Sequence, residues 1–104
     1  MDLNFSENQL LYVDTVRRLV KNEISPRILE MEKEHGFPWA IISKAWEMGL
    51  VNLCIPESIK GFDVDVFSSA LIIQELSYGD TGIATSAMCN DLANVVISQH
   101  GTEE

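Results

Sequence analysis

Gln74-Glu75-Leu76-Ser77-Tyr78-Gly79-Asp80-Thr81-Gly82 stops one apolar helix and starts another within a few residues. Gly79 ends the first, and Asp80 or Thr81 offers the side-chain oxygen that a new helix needs at its N-cap. The run is too short for a dinucleotide-binding turn, and no strand precedes it. Upstream, Asp63 or Asp65 is placed to cap a helix carrying Val66, Phe67, Ala70, Leu71, Ile72, Ile73 and Leu76 through to Tyr78. Downstream, Ile83, Ala84, Ala87, Met88, Leu92, Ala93, Val95, Val96 and Ile97 belong to a helix that ends before Gly101. Both are apolar over more than one stripe, so burial against further domains or subunits is expected. The alternative is that the pair forms the centre of the bundle.

Working outward, Ser6-Glu7-Asn8-Gln9 has the spacing of a capping box, with Phe5 and Leu10 placed as a hydrophobic staple. Leu10, Val13, Val16, Leu19, Val20 and Ile24 then recur at helical spacing over about residues 7 to 24. Ser25 suits an N-cap and Pro26 the first helical position. A second helix, with Ile28, Leu29 and Met31 inward, is expected to run to a stop at Gly36. Pro38 opens a third carrying Trp39, Ile41, Ile42, Ala45, Trp46 and Met48, closed by a left-handed Gly49. Residues 50 to 64 read as extended and looped. The fold class expected is all-α, an orthogonal or up-down bundle of about five helices.

A chain of 104 residues makes one domain at most. Seven basic against sixteen acidic residues give a net charge of -9 with no cluster of Lys or Arg, which argues against nucleic acid and anionic membranes as partners. The same excess repels polyanionic ligands, so phosphate-binding groups are expected elsewhere. No apolar stretch approaches the roughly 20 residues that span a bilayer, so membrane insertion is not expected. The first residues hold no basic n-region or Arg-rich presequence. Cys54 and Cys89, distant and apolar in setting, suit a reducing compartment. His35 and His100 each adjoin a glycine near an expected helix end and have no second ligand at metal spacing. Glu30, Glu32 and Glu34 spread round a helix as a solvated face. No catalytic constellation and no metal site is read from these residues.

Ile55-Pro56-Glu57-Ser58-Ile59-Lys60-Gly61, the segment from Gln74 to Gly82, Ala45-Trp46-Glu47-Met48-Gly49-Leu50 and His100-Gly101-Thr102-Glu103-Glu104 together resemble the N-terminal helical domain of the acyl-CoA dehydrogenases, of the medium- and short-chain type. The resemblance covers residues 1–104 and only the first of three domains. One departure stands out: where the family loop carries two consecutive glycines after Pro-Glu, the first is here Lys60, which would be strained at positive φ.

The resemblance implies FAD-dependent oxidation of acyl-CoA to trans-2-enoyl-CoA, in which a carboxylate removes the α-proton and flavin accepts the β-hydride. Base, flavin and coenzyme A sites are implied to lie mainly in the middle and C-terminal domains, so no catalytic residue is assigned here. What it implies for this domain is a wall of the acyl-chain cavity at Ala84, Thr85, Met88 and Leu92, although a Met and Ala stripe is otherwise ordinary core. It also implies a docking surface for an electron-transferring flavoprotein at Tyr12, Leu50, Phe62, Val64 and Ile72, with Glu23 beside it. Phe62 and Val64, in a loop, are the more telling pair. Plain core packing is the other reading of Leu50 and Ile72.

Alone, the chain is expected to be inactive, and the implied full-length protein a homo-oligomer of the bacterial cytoplasm or the mitochondrial matrix. Gly101-Thr102-Glu103-Glu104 looks like the start of a further capped helix. Two other readings remain open at this level. One is a free-standing helical interaction module. The other is the same domain in an acyl-CoA oxidase or flavin monooxygenase, told apart by oxygen reactivity.

Overall fold

The computed structural model describes residues 4–102. The further helix expected after Gly101 rests on Glu103 and Glu104, which lie outside the described residues. Five α-helices form: α1 (Glu7–Leu19), α2 (Ile28–Glu34), α3 (Trp39–Glu47), α4 (Val66–Gly79) and α5 (Thr81–His100), with no strand among the described residues. Helix α4 packs on α1 and on α5, and α3 packs on α5.

Three helix starts are set by local side chains. At α1 the Ser6 hydroxyl accepts from the Gln9 amide at 3.2 Å, and the Gln9 side chain accepts from the Ser6 amide at 2.9 Å, a complete capping box. Asp65, not Asp63, caps α4, accepting from the Ser68 amide at 2.9 Å. Ser68 also anchors that carboxylate through its hydroxyl, and these bonds hold Asp65 below the ordinary carboxylate range. Asp80, not Thr81, caps α5, accepting from the Ile83 amide at 2.7 Å. Phe5 and Leu10, the expected staple, both stay largely exposed, and the Phe5 ring lies 6.0 Å from that of Phe67.

Helix α1 does not end at an extended Ser25. It widens into a π-helical turn, Val20–Ile24, in which the Ser25 amide reaches back to the Val20 carbonyl, then tightens into a 3-10 turn, Ser25–Arg27. Ser25 itself is helical (φ -55, ψ -39), so it does not serve as the N-cap expected of it. Pro26 has no amide to offer the preceding turn, and the chain negotiates it by changing helical pitch. The left-handed stop after α2 likewise falls one residue early, on His35 (φ 50) instead of Gly36.

After α3 the stop is as expected. Gly49 adopts φ +71, its amide donates to the Trp46 carbonyl at 3.0 Å, and the Leu50 amide donates to Ala45 at 2.9 Å. These are the paired bonds of a Schellman end. Residues 51–65 form a loop held by the Val64 amide to Leu53 and the Asp63 amide to Ile55, each 2.9 Å, around a 3-10 turn at Glu57–Ile59.

The core gathers Val16, Leu19, Val20 and Ile24 with Ile41, Ala45, Leu50, Leu53, Ile72, Leu76, Ile83, Ala84 and Ala87. Ile28 and Met31 pack against it from α2, as do Ile42 and Met48 from the third helical segment. Leu29, expected inward, points to solvent at 71% exposure, and Trp39 and Trp46 of α3 are 71% and 58% exposed. Val66, Phe67, Leu92, Val96 and Ile97 are exposed too, so the apolar breadth of α4 and α5 exceeds what this bundle covers.

Lys60 sits at φ 65, ψ 26, accepting the left-handed strain itself. Gly61 is fixed by space, because a Cβ there would lie 1.9 Å from the Ile55 carbonyl oxygen. Lys60→Gly is therefore expected to stabilise the chain by about 1 kcal/mol, and Gly61→Ala to destabilise it by about 1–3 kcal/mol. Urea midpoints of the two variants check both signs.

Candidate functional site

Asp80 is the whole connection between α4 and α5, so the two helices fold back on each other with a shared groove. Within it, Ala84, Thr85, Met88 and Leu92, the positions implied by the resemblance, line a cavity of about 240 Å³ with Ile73 and Ser77 of α4 and Cys89. Ala84 is buried and Met88 half-buried, while Thr85, Cys89 and Leu92 are exposed, so the cavity is a groove open to solvent with Ala84 at its base. The Thr85 hydroxyl donates to the Thr81 carbonyl at 2.8 Å, which leaves its polar atom committed to the helix. An open groove with a methyl group at its base and a flexible thioether beside it suits an alkyl chain better than a polar ligand.

The six docking positions divide. Leu50 and Ile72 are fully inside the core, and Tyr12 and Val64 pack against it partly buried. Phe62 is 66% exposed, with its ring set over Gly49 so closely that a Cβ there would lie 3.2 Å from it. Glu23, half-buried, accepts a hydrogen bond from Lys44 and lies 3.6 Å from Arg27. The bond from Lys44 holds its carboxyl below the usual range. Tyr12, Leu50, Val64 and Ile72 thus belong to one apolar cluster, of which only the margin and Phe62 meet solvent.

Two polar clamps escape a one-dimensional reading. Arg17 donates to both oxygens of Glu75, at 2.8 and 2.9 Å, joining α1 to a buried carboxylate of α4. The second ties the loop to α5. Asp91 accepts from the Leu53 amide at 3.1 Å and from the Cys54 thiol at 3.2 Å, and Asn94 donates to Asn52 at 3.1 Å. Burial first, then the Asp91 carboxylate, push the Cys54 thiol up to about 11. The only sequence signal for the first clamp is a charged residue beside Ile72 and Leu76 on an apolar face.

Most of the helix starts and cations that could receive the pyrophosphate of FAD are already engaged among the described residues. The starts of α1, α4 and α5, which would otherwise attract an anion, are capped by Ser6, Asp65 and Asp80. Arg17, Arg18, Arg27 and Lys44 are engaged in ion pairs. Among the described residues no three His, Cys, Asp or Glu side chains are grouped to hold a metal ion, and no helix is long and apolar enough to cross a membrane.

Residues 6–104 match the family model described as "Acyl-CoA dehydrogenase, N-terminal domain". A probable medium-chain specific acyl-CoA dehydrogenase 2, mitochondrial, of Caenorhabditis briggsae is 30% identical over 104 residues, all of this chain and 26% of the relative. The short-chain specific acyl-CoA dehydrogenase, mitochondrial, of Bos taurus is 31% identical over 100 residues, 94% of this chain and 24% of the relative. The chain thus spans about a quarter of the length of the curated relatives it matches. Among solved structures, a chain from "Electron transferring flavoprotein of Acidaminococcus fermentans: Towards a mechanism of flavin-based electron bifurcation" superposes with a TM-score of 0.84 at 30% identity. That match covers 99% of this chain and 27% of the other.

Thiol labelling checks the second clamp. Exposed Cys89 is expected to react first at neutral pH, and Cys54 only as pH rises from about 9 towards about 11. Asp91→Asn should bring the onset for Cys54 to lower pH. Because the folded thiol titrates above its ordinary value, the stability it contributes is complete below pH 9 and fades as pH climbs through about 11. Equal labelling of both cysteines at neutral pH would refute this.

Proposed function

The chain belongs to the acyl-CoA dehydrogenase family, and on that premise we propose that it is the domain that walls the acyl-chain cavity in FAD-dependent oxidation of acyl-CoA to trans-2-enoyl-CoA. The observation that carries this reading is the apolar cavity lined by Ala84, Thr85, Met88 and Leu92, four positions of α5 to which Ile73 and Ser77 of α4 add a second wall. FAD and the coenzyme A phosphates are held by other parts of the enzyme, in keeping with the capped helix starts and the ion-paired arginines here. The domain's own task is to exclude water from the alkyl tail and to set the length that fits, and neither task requires a titratable group.

Electrons leave through an electron-transferring flavoprotein docked over Phe62, with Tyr12, Leu50, Val64 and Ile72 forming the cluster beneath and Glu23 at its edge. The exposure of Phe62 above an otherwise buried cluster supports this, since an apolar anchor on a rigid base is what a docking partner requires. The exposed apolar surface of α4 and α5 suits burial against the remaining domains, within a homo-oligomer of the mitochondrial matrix or the bacterial cytoplasm. The relatives that match are named as mitochondrial enzymes.

The test joins these 104 residues to the flavin-binding remainder of a medium-chain relative and follows bleaching of the flavin by acyl-CoA of graded length. Ala84→Phe, which fills the base of the groove, is expected to lower kcat/KM for longer acyl chains relative to short ones by about tenfold or more. Met88→Ala should shift the preference the other way. An unchanged length profile in both variants would sink the assignment of the wall.

A further inference from the structure

The α2–α3 corner carries a surface that the acyl cavity and the docking cluster leave unused. The rings of Phe37 and Trp39 lie 4.6 Å apart, inclined by 57°. With Met31, Pro38 and Ile41 they line a depression of about 360 Å³ that has Glu30 and Glu34 at its edge. A second depression of about 390 Å³ shares Met31, Phe37 and Pro38 and adds Glu32. Trp39 is 71% exposed, a large aromatic area left facing water where burial would be favourable. Glu30 and Glu34 stand one turn apart on α2, so their like charges repel. Neither is ion-paired among the described residues, and the one cation of the groove, Arg27, is directed to Glu23 at 3.6 Å.

We infer that this groove docks a basic segment of a partner protein, with an Arg or Lys side chain laid across Phe37 and Trp39 and its charge received by Glu30 and Glu34. Apolar rings flanked by uncompensated carboxylates favour a cation with an alkyl stem over any neutral or anionic occupant. The stem covers the rings, the head gains cation–π attraction, and the mutual repulsion of the two carboxylates is relieved on binding. An alkyl chain would have to desolvate both carboxylates for no return, and a polyanion is repelled by a chain of net charge -9. That same charge steers a basic partner towards this chain, and the rings define where it seats.

Calorimetric titration of the 104-residue chain with a capped hexapeptide alternating Arg and Leu tests this. Saturable binding is expected, weakened about tenfold by Trp39→Ala and by the pair Glu30→Gln with Glu34→Gln. The Gln pair removes charge without removing packing, so it keeps the test valid should the Trp39 variant unfold by circular dichroism. Glu7→Gln with Glu47→Gln makes the same change in net charge away from the groove and is expected to leave binding unaltered. Equal loss in both charge pairs would mean unspecific attraction to an acidic protein and would overturn the proposal. So would protection of Trp39 from oxidation by another part of the same enzyme in its purified assembly, since the groove would then be occupied from within.

Discussion

Helix α4 meets α1 along a face on which Ile72 and Leu76 have no solvent exposure, with Glu75 between them at 8%. A carboxylate in that position would cost several kcal/mol if left alone, and Arg17 answers it with two hydrogen bonds from α1. The remaining constraint is steric. A Cβ on Gly79 would lie 2.7 Å from Val20, so only glycine lets the end of α4 press into the π-helical turn that closes α1. With α4 so fixed, the single residue Asp80 determines where α5 begins, and the position of the α4–α5 cavity follows from that. The contact between α1 and α4 is therefore upstream of everything proposed for the site.

The helices were legible because their ends are written locally. Ser6, Asp65 and Asp80 each place a side-chain oxygen within reach of an amide three residues on, and Gly49 supplies the left-handed residue that a Schellman end needs. The region from Val20 to His35 was not legible in the same way. A π turn followed by a 3-10 turn alters the rotation per residue, so the apolar face of α1 cannot be carried forward to predict that of α2. Leu29 accordingly faces water while Ile28 and Met31 pack inward. Trp39 and Trp46 lie outside the buried face of α3, where among the described residues only Ile41 and Ala45 are buried.

For the site, the resemblance named Ala84, Thr85, Met88 and Leu92, and helical spacing explains why Ala84, Met88 and Leu92, at i, i+4 and i+8, share a face whatever the tertiary fold. Ile73, Ser77 and Cys89 were not named in advance. The first two lie on a different helix, and only the close turn at Asp80 sets them opposite. The polar clamps escaped for the same reason: Asp91 serves Leu53 and Cys54, 38 and 37 residues away, and no local pattern links them.

Burial along α5 is uneven, and this bears on how the domain works. Ile83, Ala84 and Ala87 are buried in its first half, whereas Leu92, Val96 and Ile97 stand exposed in its second. Across the middle, the helix is held to the 51–65 loop by hydrogen bonds at Asp91 and Asn94. Directional bonds fix the rotation of α5 about its own axis in a way that a non-directional apolar contact does not. That rotation decides whether Met88 and Leu92 face the groove or turn from it. The Asp91 clamp, formed largely with backbone and a thiol, therefore adds to the packing of Ile83, Ala84 and Ala87 in holding the cavity face in register, while the outer half of the helix stands exposed.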